Sequence, residues 1–221
     1  MTFLSTLAAG ALFGLALAAP PGPMNAVIAE ESVLRGWTAG FRAGLGAMTA
    51  DAVFLGLALL GVVAAIEEMP TLQSVMVGVG GLLMLYFAYG AARGAQESFR
   101  TTETPGDEDS RGFSKAFVLA LTNPYQILFW VTAGTALLTP GTVDVLSYAS
   151  ETLAGLVVVE TGSPVLLAGL FGGIGVWITG FPATLSAARQ RMESLAPAIA
   201  YGSAVVLAGF GLYFLADALF L

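Results

Sequence analysis

The sequence predicts an all-α integral membrane protein with six transmembrane helices. Of its 221 residues, 57% are hydrophobic and 10% are charged, whereas soluble domains carry about 25% charged residues. So few charged side chains cannot cover a water-exposed surface, and lipid is the solvent that this composition fits. The chain also contains no cysteine and no histidine, which removes disulfides, thiolate nucleophiles and the commonest general base and metal ligand.

Stretches almost free of charge divide the chain into six segments of 23 residues or more. Since about 20 apolar residues cross a hydrocarbon core of about 30 Å, each segment is long enough for one membrane span. The first segment resembles a signal peptide at Ala16-Leu17-Ala18, but it lacks a basic start and its apolar stretch is too long. The predicted spans lie in residues 1–29, 43–66, 69–92, 116–143, 161–188 and 194–216.

The eight basic residues all fall in three loops on one side of a six-helix protein, and the other aqueous segments carry acids. The positive-inside rule makes the basic side cytoplasmic, so both termini are predicted to be extracellular in a plasma membrane. The net charge of −7 also suits a protein that faces concentrated salt, as in a halophile. The basic residues are Arg35, Arg42, Arg93, Arg100, Arg111, Lys115, Arg189 and Arg191.

A polar stretch over residues 93–115 divides one transmembrane domain, residues 1–221, into two halves. It combines several charges with Thr104-Pro105-Gly106, a composition typical of a mobile loop. The halves are residues 1–92 and 116–221. We therefore expect a cytoplasmic linker between two groups of three helices.

An odd number of helices in each half requires the second half to be inverted relative to the first, as in many secondary transporters. Leu85-Tyr86-Phe87 in the third predicted helix recurs as Leu212-Tyr213-Phe214 in the sixth. Pro23 in the first helix has a counterpart in Pro124 of the fourth. We therefore expect two inverted three-helix repeats in which helices 1 and 4 are broken.

Two helix breaks give the strongest indication of a binding site. Three prolines and a glycine in residues 20–23 remove backbone donors and cannot continue a helix. Broken backbone survives in lipid only where protein or water satisfies it, and the free N–H groups of a new helix start favour an anionic group. A kink or a surface turn is the alternative. The predicted binding residues at the two breaks are Pro21, Gly22, Pro23, Asn25, Asn123 and Pro124.

Asp51 is the one acid inside a predicted span. Placing a charged side chain inside a membrane costs free energy, so such residues usually have a function. It could carry a proton or meet a cationic group, and an interhelical hydrogen bond is the alternative. Counting about 1.5 Å per residue from the nearest basic residue places Asn123, Asp51 and Pro23 roughly 12, 13 and 18 Å deep. All three are therefore predicted to lie near the midplane.

Several short motifs occur in order along the chain: Pro21-Gly22-Pro23 with Asn25, Arg35-Gly36-Trp37, Arg42-Ala43-Gly44, Asp51, and Asn123-Pro124 before Ile127-Leu128-Phe129-Trp130. In this combination they resemble the LysE/RhtB amino-acid exporter family. The resemblance implies a small inner-membrane carrier that exports amino acids, driven by the membrane potential or a proton gradient. The family often has lysine or a small residue where this chain has Tyr125.

Other functions fit the residues less well. Divalent metal efflux needs histidine, cysteine or clustered acids as ligands, and a small channel usually needs a symmetric oligomer. We expect no enzyme activity, no cofactor, no metal site and no nucleic-acid partner. The expected partners are the lipid bilayer and an amino-acid substrate. Small-xxx-small spacings, such as Gly10 with Gly14 and Gly169 with Gly173, permit close helix packing within the protein or in a homo-oligomer.

Overall fold

The computed structural model describes residues 3–61, 68–100, 111–144, 158–189 and 195–218, and this part of the chain is helical apart from one two-stranded sheet. A π-helical turn at Trp130–Gly134 separates two of its short helices. The helices are α1 (Phe3–Ala18), α2 (Pro23–Arg35), α3 (Trp37–Leu59), α4 (Pro70–Arg100), α5 (Gly112–Leu121), α6 (Pro124–Phe129), α7 (Thr135–Leu138), α8 (Pro164–Arg189) and α9 (Leu195–Asp217).

Four helices, α3, α4, α8 and α9, are long and apolar enough to cross a membrane. Helices α1 and α2 meet the same criterion only together, and they are bent by 84° at the break between them. The described residues therefore contain four spans, or five if the bent pair is one. The predicted span at residues 116–143 is divided among α5, α6, the π-helical turn and α7, so it contains no long helix. This is a multi-pass membrane protein.

Helices α1 and α8 pack closely because glycines line their contact. Gly10 and Gly14 lie against the backbone of α8 at Leu166 and Leu170. Gly169 and Gly173 lie in the same way against the backbone of α1. A Cβ atom at any of the four would overlap the facing helix, so both small-xxx-small pairs serve one internal interface.

Helix α2 lies at the centre of the bundle, where it contacts α3, α5, α8 and α9. Nearly all of its side chains from Ala26 to Leu34 are buried. Around it, α4 packs along α9, and α3 packs along α5. The largest hydrophobic core cluster joins α2 to these helices and includes Val27, Ile28, Met84, Leu119 and Phe214.

A short antiparallel hairpin departs from the all-α prediction. Strand β1 (Gly141–Asp144) pairs with β2 (Val158–Thr161), with Gly141 opposite Thr161. Both strands lie between residues 139 and 163, where the sequence predicted an external stretch and no strand. Valine and threonine, which favour strands, supply half or more of each strand, and residues 145–157 lie outside the described part.

The polar linker is bordered by longer helices than the sequence analysis assigned. Helix α4 runs to Arg100 and α5 begins at Gly112, so both extend into residues 93–115. Alanine, arginine, glutamine and glutamate after Arg93 favour helix and explain the extension of α4. Residues 101–110 lie outside the described part of the chain.

Candidate functional site

A cavity of about 410 Å³ opens where α1 gives way to α2. Its volume lies within the range of about 300–1,000 Å³ that is usual for small-molecule sites. Helices α3, α6, α8 and α9 complete its walls, most of which are apolar. Six of the seven residues predicted from the sequence line it together: Pro21, Gly22, Pro23, Asn25, Asp51 and Asn123. The seventh, Pro124, begins α6 immediately after Asn123.

The first break is held by the side chain of Asn25. Its amide nitrogen donates to the carbonyl oxygen of Ala18 at 2.7 Å and to that of Pro20 at 2.8 Å. Ala18 is the last residue of α1 and Pro20 lies in the break that follows, where the prolines prevent the helix from continuing. Asn25 thereby replaces hydrogen bonds that a continuous helix would have made.

Helix α8 completes this arrangement through Trp177. The indole Nε1 of Trp177 donates to Oδ1 of Asn25 at 3.0 Å, and Trp177 itself lines the cavity. The bond fixes which way the Asn25 amide points. The side chain that holds the break in one half is therefore oriented by a side chain from the other half.

Asp51 reaches the cavity from the middle of α3 and is 6% exposed. Its Oδ1 accepts one hydrogen bond from Nε2 of Gln126 at 2.6 Å and one from Nε1 of Trp130 at 2.9 Å. Trp130 is the first residue of the π-helical turn, a form of helix that is frequent at functional sites. Two neutral donors thus orient the carboxyl group without neutralising its charge.

One helix start at the cavity, that of α2, has a proline in its first turn. Its N-cap residue, Gly22, is in an extended conformation and makes no side-chain capping hydrogen bond. The first N–H groups of α2 have no carbonyl one turn earlier in their own helix, so they favour a negatively charged partner. Among the described residues, no group of three histidine, cysteine or acidic side chains could hold a metal ion.

Three side chains that shape the site were not among the predicted site residues: Gln126, Trp130 and Trp177. Gln126 carried a usable signal, because a primary amide within an apolar segment needs a polar partner. The two tryptophans carried only a weak signal, since a tryptophan that lines a pathway cannot be told by sequence from one that packs in a core or at a membrane interface. Their roles depend on contacts between distant parts of the chain.

A second buried carboxylate lies on α2, outside the cavity lining. Oε2 of Glu30 accepts from the ammonium nitrogen of Lys115 at 2.8 Å, and both side chains are nearly buried. The Lys115 ammonium also lies 5.6 Å from the centre of the Phe87 ring. Lys115 was predicted to lie in the linker, and no role was predicted for Glu30. The structure joins the two in an ion pair between α2 and α5.

A helical membrane bundle whose broken helix and buried carboxyl group share one cavity has the architecture of a membrane translocator. The chain matches the family described as LysE type translocator over residues 15–218. It therefore belongs to the LysE type translocator family, and the resemblance inferred from the sequence motifs is confirmed.

Three relatives illustrate this membership. An uncharacterised membrane protein of Pseudomonas aeruginosa is 30% identical over 200 residues, which cover 86% of each chain. A putative amino acid efflux protein of Bacillus subtilis is 28% identical over 54% of this chain and 57% of its own. The leucine efflux protein of Salmonella typhimurium is 31% identical over 57% of this chain and 58% of its own. No solved structure gives a significant match to this chain.

Proposed function

We propose that this protein is a secondary transporter that exports amino acids across the cytoplasmic membrane. Membership in the translocator family and the names of the two efflux relatives support export. The observation that carries the proposal is that the cavity presents a carboxyl group and an uncapped helix start to the same space. These are complementary to the two charges of a zwitterion.

The substrate ammonium binds Asp51 in this proposal. Both hydrogen bonds that the Asp51 carboxyl group accepts within the described part of the chain end on Oδ1. Oδ2 is then the oxygen that meets the ammonium, in a charge-assisted hydrogen bond. Gln126 and Trp130 keep the carboxyl group in place while it binds.

The substrate carboxylate binds at the break between α1 and α2. The N–H groups of the first turn of α2 and the positive end of its dipole attract the anion. Pro21, Gly22 and Pro23 shape this start, and Asn25 stabilises it. Asn123 and Pro124 extend the site from the opposite side.

For the transport cycle, we propose six membrane-crossing segments arranged as two inverted repeats, with both termini outside. Helix α1 packs along α8, and α5 packs along α3. In such a repeat the first segment is equivalent to the fourth, and the second to the fifth. The contact of the first segment with the fifth, α1 with α8, then corresponds to the contact of the fourth with the second, α5 with α3. Rocking of the halves around the cavity would give alternating access, coupled to protons or to the membrane potential.

Efflux from cells tests the proposal. Labelled amino acids are loaded into cells that overproduce the protein and into cells that lack it, and the loss of label is measured over time. The same measurement is made in parallel with labelled divalent cations. The proposal predicts faster loss of at least one amino acid and no change for the cations. Metal efflux without amino-acid efflux would contradict it.

A further inference from the structure

We propose that the cavity selects amino acids with neutral aliphatic or thioether side chains, such as leucine, isoleucine and methionine, and that Ile174 and Ile178 determine this selectivity. The inference rests on the proposed function, because it concerns the substrate of the same cavity. It goes further in assigning a class of side chain and the residues that recognise it.

The charge balance of the cavity excludes charged side chains. Asp51 is the one charged residue among the described residues that line the cavity. Once the substrate ammonium is paired with Asp51, a lysine or arginine side chain adds a cation that no second carboxylate offsets. A glutamate side chain adds an anion near Asp51 where no lysine or arginine lines the wall. Burial of either unpaired charge is costly.

Two polar side chains of the wall, Asn25 and Gln126, already make hydrogen bonds within the protein. Both amide hydrogens of Asn25 are donated to carbonyls, and its oxygen accepts from Trp177. The amide of Gln126 donates to Asp51. A hydroxyl or amide side chain on the substrate would compete with these bonds, whereas an apolar side chain leaves them intact.

An apolar wall is available for the side chain. Ile174 and Ile178 lie one turn apart on α8, both nearly fully buried, and both line the cavity. Met48 of α3 and Leu17 of α1 line the cavity and pack against the same cluster. Met48 is three residues before Asp51, so this wall adjoins the carboxyl group on one face of α3.

Competition in proteoliposomes tests the selectivity of the unmodified protein. Exchange of labelled leucine is measured against unlabelled leucine, methionine, lysine and glutamate. Methionine is expected to compete about as well as leucine, and lysine and glutamate at least about tenfold less well. Lysine or glutamate competing within about threefold of leucine would overturn the inference. Lysine exchange without leucine exchange would also overturn it and leave amino-acid export standing, whereas no amino-acid exchange at all would contradict the proposed function itself.

A matched pair of variants tests the role of the wall. Ile174→Asp supplies a second carboxylate, and Ile174→Asn supplies the same shape without the charge. We expect Ile174→Asp to raise the lysine-to-leucine exchange ratio by about tenfold or more, and Ile174→Asn to reduce leucine exchange without this gain. If Ile174→Asp does not reach the membrane, Met48→Glu is measured in its place. An unchanged ratio in a folded acidic variant would contradict the assignment.

Discussion

Glu30 and Asp51 are two buried carboxylic acids on consecutive helices, and their partners are different. Glu30 is 5% exposed and accepts from the Lys115 ammonium at 2.8 Å. Asp51 is 6% exposed and accepts only from the neutral groups of Gln126 and Trp130 among the described residues. The two side chains are therefore buried to nearly the same extent, but only Glu30 has a cationic partner among the described residues.

In the function that we propose, this difference separates a structural acid, Glu30, from a substrate-binding acid, Asp51. The Glu30 charge is already compensated, and its pair ties α2 to α5. The Asp51 carboxyl group is oriented by Gln126 and Trp130, no cation among the described residues compensates its charge, and it faces a cavity large enough for an amino acid. A buried carboxyl group that keeps its capacity for a cation is the one suited to a substrate ammonium.

Removing the cation that compensates Glu30 should have the largest effect on stability. Lys115→Met leaves Glu30 buried without its partner, which typically costs about 3–5 kcal/mol. Thermal unfolding in detergent measures the loss. Arg93→Met is the control, because Arg93 is exposed and stacks on Tyr89. Equal stability of the two variants would show that the ion pair is not a structural element.

Removing both charges sharpens the same comparison. Glu30→Gln combined with Lys115→Met should lose less stability than Lys115→Met alone, because no unpaired charge stays buried. A double-mutant cycle on unfolding temperatures measures the coupling. Additive losses from the two single changes would contradict a direct pair.

Asn25→Ala should have an intermediate effect on the cavity side of the comparison. The change leaves the Ala18 and Pro20 carbonyls without their donor, at a cost of about 1–3 kcal/mol of stability. Amino-acid efflux should also fall, because the start of α2 is no longer held in place. Thr49→Ala is the control, since the exposed Thr49 hydroxyl donates only to Leu45 within its own helix. Wild-type unfolding and efflux for Asn25→Ala would mean that the break does not depend on this side chain.

Trp130→Phe should have the smallest effect on transport. It removes one of the two donors that orient Asp51, and a hydrogen bond to a charged group contributes about 1.5–3 kcal/mol of stability. Substrate binding should weaken only in part, because Gln126 stays in place. Trp37→Phe is the matched control, because the Trp37 indole donates to the Thr179 carbonyl at the exposed surface. Substrate affinities measured side by side should fall only for Trp130→Phe. An equal fall in substrate affinity for both variants would show that the Trp130 hydrogen bond to Asp51 has no specific role in binding.

Much of the candidate site could be predicted from residue types that are unusual inside a membrane span: proline, asparagine and a single acid. Pro20 to Pro23 cannot form continuous helix, and Asp51 cannot lie in lipid without a partner, so their types alone indicate where to look. Composition likewise predicts a helical membrane protein. The family resemblance, now confirmed, depended on the order of these same residues.

Other features depend on contacts that no local pattern encodes. Lys115 follows a charged linker, so its sequence position suggests solvent, yet α5 carries it into the bundle to meet Glu30. The prolines predict a break but not its 84° angle, which depends on how α2 packs among its neighbours. Trp130 and Trp177 become site residues only through partners 79 and 152 positions away.

If the Asp51 charge binds the substrate ammonium, leucine exchange at equal concentrations on both sides of a proteoliposome depends on that charge. Asp51→Asn keeps the shape and an acceptor for Gln126 and Trp130 but removes the charge. We expect leucine exchange to fall by at least about thirtyfold, the ratio that corresponds to about 2 kcal/mol, while the protein stays folded. Leucine exchange at the wild-type rate would contradict it, and a loss confined to gradient-driven efflux would assign Asp51 to proton coupling instead.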